Sequence, residues 1–424
     1  MRVWVIAGIV ALGFAGPLVA PLLANDTEEA LESLNVNSRY TVESVHVLGV
    51  KMGRLSQPLR GELDHVVGQK LDHPRLDRIA DQIKKELHVS DVTVHVERGA
   101  TPERVAVDFE IKNSRRQNFD LNVARFLYNS IRGWTGEGRA TTTVAGNSFA
   151  FGLVDDGDSL TERYAGIRAG YARGGLWNDR LRVSFDFASY HDEWNPATLN
   201  AADPGDIYRT RQSFLPLATV VLAAPLDLDF GADFARLQPA AGYAGASAKT
   251  ESSNAVVTSL RYHRRWGSAQ DREEQELRGI YSLRTATRIL ESDPVFTRHW
   301  FEARYKYRIA RNTVEIGFVA GRITGDAPLY ERFAAGNSLL LRGWNKYELD
   351  PLGGSHVVHG SVDYNFHGLL AFYDTGAIWD RGPQREQKQS VGVGYKAKDG
   401  FQLAMAFPVR DGHNYPVFYA GLNF

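Results

Sequence analysis

The residues best able to form a specific ion-pair site lie between Pro328 and Gly376. The order is Leu341-Arg342-Gly343-Trp344, then Gly353-Gly354, Asp363, and Phe372-Tyr373-Asp374-Thr375-Gly376. A guanidinium and two carboxylates can make charge-assisted, bidentate hydrogen bonds. A triplet alone carries little information, because Arg132-Gly133-Trp134 repeats it without the companion motifs. The motifs in this order, rather than the triplet alone, therefore predict the ion-pair site.

Strand periodicity predicts where the two carboxylates point. Side chains of a β-strand alternate between its faces. In the segment from 354 to 366, Asp363 lies opposite the more apolar face, and in the next segment Asp374 lies opposite the face that carries Leu369, Tyr373 and Trp379. Both carboxylates are expected to face one interior, within reach of a returning loop that carries Arg342.

Similar alternation recurs along the chain and predicts a mainly β fold, a transmembrane antiparallel β-barrel. Clear examples are residues 181–188, 313–320, 391–395 and 401–407. Mean hydropathy is negative, and no apolar run after the N-terminus approaches the roughly 18 residues of a spanning helix. A barrel hides its apolar content by alternation. The 18 Tyr and 8 Trp suit interfacial girdles, although a soluble antiparallel sandwich could also alternate.

The segments add up to about sixteen strands. One of them is expected to begin near residue 333, and none is expected to begin between 138 and 163. The last segment places Phe418, Leu422 and the terminal Phe424 on one face, with Tyr419 and Gly421 opposite.

The N-terminus predicts export. Arg2 is followed by an uncharged apolar run from Val3 to Ala24 and then by polar residues. This pattern is typical of a secretory signal peptide over residues 1–24, with a linker over 25–39. An uncleaved anchor helix is the alternative.

A small domain is expected over residues 40–113, with the order β-α-α-β-β. Its second helix carries an apolar stripe that predicts the core, namely Leu76, Ile79, Ile83 and Leu87. An edge of such a small sheet could accept an extended peptide as an added strand. An inert spacer is the alternative.

Enzyme motifs are absent from the sequence. There is no cysteine, no Gly-x-Ser-x-Gly elbow, no P-loop and no His-Glu-x-x-His motif. His356 and His359 would face opposite sides of a strand, so they predict no metal site. The balance of 49 basic and 50 acidic residues gives no sign of a nucleic-acid partner. No catalytic, cofactor-binding or metal-binding residue is expected.

Two further groups of charged residues are expected to have structural rather than ligand-binding roles. Asp155, Asp156 and Asp158 flank Gly157 and are expected to form a solvated loop rather than a calcium site. Arg278, Arg284 and Arg288 are expected to share a strand face with Glu274 and Glu276, which suggests a polar lumen wall.

These motifs resemble a known family. Residues 40–113 resemble a single POTRA domain, and residues 115–424 resemble the sixteen-stranded barrel of the outer-membrane assembly and transport superfamily, which includes BamA-like and TamA-like proteins and two-partner secretion transporters. The most specific portion runs from Pro328-Leu329-Tyr330-Glu331-Arg332-Phe333 through Gly336 and Arg342-Gly343-Trp344 to Phe372–Gly376. The resemblance covers nearly all of the chain after the signal peptide.

The resemblance implies roles for these residues. A loop carrying Arg342, Gly343 and Trp344 would enter the lumen, where Asp374 and Asp363 would hold the arginine; the family more often has Glu at the second position. Further barrel motif positions are Gly353, Gly354, Phe372 and Gly376. Phe418, Leu422 and Phe424 resemble the C-terminal signal for barrel insertion. In the family, the seam between the first and last strands is weakly paired and can open sideways.

The resemblance also implies a function. The protein would lie in the outer membrane of a Gram-negative bacterium, with the POTRA domain in the periplasm, and would assist insertion of proteins into that membrane or their translocation across it. Its partners would be a substrate polypeptide, outer-membrane lipids and other assembly components, without a cofactor. A passive channel or a lipid-related structural barrel is the alternative.

Overall fold

The computed structural model describes residues 39–50, 52, 55–87, 89, 91–101, 103–112, 119–144, 146–239, 249–267, 273–380, 386–397, 400–410, 412 and 415–422. The chain divides into two compact units, Met1–Gln117 and Asn118–Phe424. The expected signal peptide, nearly all of the expected linker, and Phe424 lie outside the described residues. Among the described residues, no helix is both long and apolar enough to cross a membrane.

The first unit has the β-α-α-β-β order that the sequence predicted. Its elements are β1 (Thr41–Leu48), α1 (Gln57–Val66), α2 (His73–Leu87), β2 (Asp91–Arg98) and β3 (Arg104–Lys112). The sheet order is β1-β3-β2, with β1 parallel and β2 antiparallel to the central strand. Helix α1 begins where the Ser56 side chain accepts a hydrogen bond from the Leu59 amide, followed by Pro58 in the first turn.

The core of this unit lies between the two helices and one face of the sheet. Leu76, Ile79 and Ile83 of α2 are buried as the 3.6-residue period predicted, and Leu87 packs at the border of the same cluster. Val107 and Phe109 of β3 are fully buried. The central strand and the apolar stripe of α2 thus hold the unit together.

Shortening Ile83 is expected to destabilise this unit. The side chain is 0% exposed, so Ile83→Ala should lower the free energy of unfolding by about 2–5 kcal/mol. Limited proteolysis of the full chain would show this as faster cleavage within residues 41–112. Asp64→Ala, on the exposed face of α1, is the matched control, and equal cleavage of the two variants would contradict the packing.

The second unit is a closed barrel of sixteen strands in which every neighbouring pair is antiparallel, as the sequence predicted. The strands are β4 (Phe119–Asn129), β5 (Gly133–Val144), β6 (Asn147–Asp156), β7 (Arg163–Leu176), β8 (Leu181–Glu193), β9 (Tyr208–Ala223), β10 (Leu226–Pro239), β11 (Glu251–Trp266), β12 (Glu273–Ala286), β13 (Phe296–Ile309), β14 (Asn312–Gly325), β15 (His356–Phe366), β16 (Leu369–Trp379), β17 (Lys388–Lys396), β18 (Phe401–Val409) and β19 (Val417–Leu422).

Short helical segments lie in the connections of the barrel. They are α3 (Pro196–Ala201), α4 (Lys346–Leu349) and the 3₁₀ turns Pro204–Asp206, Arg288–Leu290 and Leu329–Glu331. Strand β4 begins at the end where the strands reverse through short turns, such as Ala310-Arg311 and His367-Gly368. We call this the short-turn end. The opposite end carries longer connections, including residues 326–355 between β14 and β15.

The structure corrects two strand assignments. No strand begins near residue 333, because Phe333 lies in the connection before β15, where it makes a single bridge to Gly354. A strand that the sequence analysis missed, β6, follows a turn at Gly146, whose φ is 82°. Tight turns of this kind favour glycine because positive φ carries no steric penalty there. One strand too many near residue 333 and one too few at β6 cancel, so the predicted count of about sixteen strands is confirmed.

The seam between the first and last strands is short. Strand β19 pairs with β4 from Tyr419↔Asn129 to Leu422↔Phe126, whereas β12 and β13 pair along their whole lengths. Within the described residues the ladder of β4 with β19 therefore ends at Phe126. A four-pair ladder contributes few backbone hydrogen bonds to barrel closure.

Candidate functional site

The connection between β14 and β15, residues 326–355, folds against inward-facing side chains of the barrel. We call it the lumen loop. Leu329, Tyr330, Phe333, Ala335 and Leu341 are buried in it. Burial of so much of a connection between strands requires partners for its backbone and charged groups.

Arg342 bonds to two carboxylates at once. Its Nε and Nη2 donate to the Oδ2 and Oδ1 atoms of Asp374 at 2.8 and 2.7 Å. Its Nη2 and Nη1 donate to Asp363 at 2.6 and 3.1 Å. The backbone amide of Arg342 also donates to Asp374, at 2.9 Å. The structure thus brings together the three charged residues that the sequence singled out.

Burial makes this cluster sensitive to the loss of any member. The Asp374 side chain is 1% exposed, that of Arg342 is 11% exposed, and that of Asp363 is 29% exposed. Burial opposes the charge on Arg342, but the hydrogen bonds and charges of Asp374 and Asp363 outweigh it and raise the arginine pKa. The guanidinium also stacks over the Phe372 ring, 3.7 Å from its centroid.

The two residues after Arg342 contact the last three strands. The Gly343 amide donates to the Tyr419 hydroxyl at 2.8 Å, and Trp344 Nε1 donates to the Gln389 carbonyl at 2.8 Å. Gly343 has a φ of 91°, and a Cβ there would lie 3.1 Å from the Cβ of Ala406. Only glycine fits this close approach without strain.

The other motif residues lie at the base of the loop and on β16. A Cβ on Gly353, whose φ is 69°, would lie 2.7 Å from the Phe333 carbonyl oxygen. Gly354 forms the bridge to Phe333, and Gly376 pairs with His359 on β15. Because they have no side chain, these glycines allow the lumen loop to pack closely against the barrel strands where it ends. Their functional role stays a prediction.

Asp158, Asp156 and Arg125 hold the loop tip, a role that the sequence pattern did not predict. Asp158 is 0% exposed, so the expected solvated loop is wrong for it and for the buried Asp156. Asp158 accepts from Arg125 Nη2 at 2.6 Å and from the Ser338 hydroxyl at 2.5 Å. Arg125 Nη1 also bonds to Asp156 at 3.0 Å. Arg125 belongs to β4, the first strand of the seam.

The upstream triplet also contacts the loop. Arg132 Nη2 donates to the Asn345 side chain at 2.7 Å, and its guanidinium lies over the Tyr347 ring. Lys346 Nζ donates to the carbonyls of Gly157, at 2.8 Å, and Leu160. Burial and the like charge of Arg132 lower the pKa of Lys346 to about 8. No periodicity in the sequence points to these contacts, because both partners lie in connections.

Replacing Lys346 by methionine is expected to loosen the loop. The substitution keeps the length of the side chain but leaves two carbonyls beside an apolar group, which costs about 1–3 kcal/mol for each unsatisfied buried group. The measurement is the rate at which the reporter Ala335→Cys, buried in the loop, reacts with a maleimide. The chain has no native cysteine, so the signal is specific. An unchanged rate would contradict the anchoring role of Lys346.

A third group of contacts fixes the base of the loop. Glu331 forms an ion pair with Arg284 at 2.6 Å, and Arg284 forms a second ion pair with Asp233 at 2.6 Å. The guanidinium carbon of Arg211 lies over the Tyr330 ring, 4.6 Å from the ring centroid. The expected lumen wall is correct for Arg284, but Arg288 lies beyond the end of β12 in a 3₁₀ turn.

Of the remaining sequence candidates that the structure describes, only His359 lies beside the ion-paired cluster. His356 stacks on Trp379 and His359 lies 4.0 Å from Asp374. Within the described ranges, no group of three or more acidic or histidine side chains could hold a metal ion. Phe418 is exposed on the outer face of β19, and Leu422 pairs with Phe126 at the seam. Their role as an insertion signal stays a prediction.

The fold and its loop define a closed transmembrane β-barrel with an ion-paired internal loop. A family model described as the Omp85 superfamily domain matches residues 100–410. The chain therefore belongs to the Omp85 superfamily and is an outer-membrane β-barrel of that family. A search of curated proteins found no match.

Solved structures share the fold. BamA from Haemophilus ducreyi lacking POTRA domains 1-3 is similar with a TM-score of 0.57 and 13% identity, over 91% of this chain and 85% of that one. CdiB from Escherichia coli gives 0.53 and 10% identity, over 91% of this chain and 77% of that one. CdiB from Acinetobacter baumannii is similar with a TM-score of 0.53 and 11% identity, over 91% of this chain and 74% of that one. At these identities the similarity is one of fold.

Proposed function

We propose that this protein assists insertion of polypeptides into the outer membrane or their translocation across it. The N-terminal unit acts as a POTRA domain that receives the polypeptide, and the lumen loop is locked in the barrel through Arg342. No nucleotide or other cofactor takes part. The proposal rests on membership of the Omp85 superfamily together with the contacts of the lumen loop.

The tip of the lumen loop contacts both strands of the short seam, β19 through Gly343 and Tyr419 and β4 through Ser338, Asp158 and Arg125. A loop that bonds to both strands of this seam, of which four pairs lie in the described residues, adds hydrogen bonds to barrel closure. Release of the loop would therefore weaken the seam at the place where a polypeptide strand could enter the wall.

The N-terminal unit offers two sheet edges to an extended polypeptide. In the order β1-β3-β2, both β1 and β2 are edge strands. The start of β1 is already covered, because Val42 exchanges backbone hydrogen bonds with Gly68 and Gln69. The unpaired backbone groups of an edge can bind another strand. This supports substrate reception rather than an inert spacer. With the short-turn end in the periplasm, β4 begins on the side from which an exported polypeptide would arrive.

A depletion experiment tests the proposed function. Outer-membrane and secreted fractions are compared by quantitative proteomics with and without the protein, with the wild-type chain restored as the control. We expect selective loss of one or a few proteins and their recovery on restoration. Unchanged fractions, with altered conductance or permeability, would support a passive channel or a lipid-related barrel and contradict the proposal.

A further inference from the structure

A basic hollow lies inside the barrel at its short-turn end. It has a volume of about 620 Å³, and its cationic lining consists of Lys306, Arg308, Arg311 and Lys396. Ligand pockets in proteins usually measure about 300–1,000 Å³, so the hollow is large enough for several side chains of a bound segment. We call it the basic hollow.

Three of its four cationic side chains form no ion pair with any described residue. Glu315 and Asp363 also line the hollow, but Glu315 lies 3.6 Å from Arg304, and Asp363 is bonded to Arg342. Arg308 pairs with Glu274 at 3.0 Å. Across the part of the chain that the structure describes, Lys306, Arg311 and Lys396 take part in no ion pair.

The hollow faces the lumen rather than the bilayer. Lys306 on β13 is opposite Glu315 on β14, and Lys396 is opposite Gln402, which is buried on the inner face of β18. Outward side chains of a barrel meet lipid, and inward ones meet water or a bound chain. The lumen-facing position favours a polypeptide segment over a lipid headgroup as occupant.

We propose that the basic hollow binds the carboxylates of an acidic segment in the substrate polypeptide. This inference rests on the proposed function and adds a substrate feature to it. Partly screened cations in a concave wall attract acidic groups and hold them with salt-dependent affinity. Asp363 also lines the hollow, but its carboxylate is bonded to Arg342, so it leaves the lysines and Arg311 available to an acidic segment.

The test measures peptide binding to the purified full-length protein. The probe is a fluorescent peptide in which glutamate alternates with serine, and its counterpart carries glutamine in place of glutamate. We expect the acidic peptide to bind more tightly, and Lys306→Gln/Lys396→Gln to weaken it about tenfold, with each single variant giving about threefold. Arg180→Gln, an exposed arginine in another short turn, is the matched control and should leave binding unchanged.

Three results would overturn the inference. They are equal binding of the two peptides, wild-type affinity in the folded double variant, and displacement of the acidic peptide by phosphatidylglycerol, which would assign the hollow to a lipid headgroup. The single variants keep the test decisive if the double variant does not fold. Depletion proteomics still decides the proposed function if the hollow fails, because that experiment does not depend on Lys306 or Lys396.

Discussion

Arg342→Ala is expected to release the lumen loop while leaving the barrel folded. Removing one partner of a buried ion pair costs about 3–5 kcal/mol, because the carboxylates that remain have lost their counter-charge. Asp374 is 1% exposed and would lose the guanidinium, which leaves the His359 ring, 4.0 Å away, as its nearest ion-pairing neighbour among the described residues. The maleimide reaction of the reporter Ala335→Cys should accelerate about 100-fold or more, whereas the strand ladders around the barrel are untouched.

Two control variants distinguish loss of the Arg342 ion pairs from misfolding of the barrel. Arg342→Lys keeps the charge but loses the planar fork that serves both carboxylates, so we expect an intermediate rate. Arg288→Ala removes an exposed arginine from a neighbouring connection and should behave as the wild type. The heat-modifiable mobility of the folded barrel reports its yield. A reporter that stays protected in Arg342→Ala would show that the pair does not hold the loop.

Asp158→Ala is expected to release the same loop from the seam side. Asp158 accepts hydrogen bonds from Arg125 and from both the amide and the hydroxyl of Ser338. Hydrogen bonds to a buried charged group contribute about 1.5–3 kcal/mol. Arg125 keeps its ion pair with Asp156 in this variant, so it is not left without a counter-charge. The labelling rate of Ala335→Cys should therefore rise about 30-fold, less than in Arg342→Ala.

Asp155→Ala is the matched control for this substitution. Asp155 is a neighbouring carboxylate, but its side chain is 52% exposed and pairs with Arg163. Exposed pairs contribute about 0–1 kcal/mol, so the reporter should remain protected. Equal labelling in the two variants would contradict the assignment of Asp158 as a loop anchor.

The contrast between Asp374 and Asp158 shows which part of the site was predictable. Asp363 and Asp374 lie in strands, where a period of two fixes the face of each side chain, so their common direction follows from the amino-acid sequence alone. Asp158 lies in a connection, where no period applies, and Asp-Gly-Asp-Ser is also typical of an exposed turn. Its burial arises only when the lumen loop arrives from residues that are distant in the chain.

The fold was predictable for a similar reason. Alternation identified the barrel and the α+β unit, and the helical stripe at Leu76, Ile79 and Ile83 identified a core. The error at Phe333 arose because a buried loop can carry as many apolar residues as a strand. Strand β6 was missed because the turn at Gly146 interrupts an otherwise continuous run of strand-forming residues. Arg132 was set aside as a chance repeat, although it bonds to Asn345 beside the second triplet.

The most direct test of the account compares three strains: one depleted of the protein, one restored with the wild type, and one restored with Arg342→Ala. Quantitative proteomics of outer-membrane and secreted fractions is normalised to the amount of folded barrel. We predict that the proteins lost on depletion return with the wild type and fail to return with Arg342→Ala. Equal recovery per folded molecule in the two restored strains would contradict the claim that the arginine lock serves polypeptide assembly or transport.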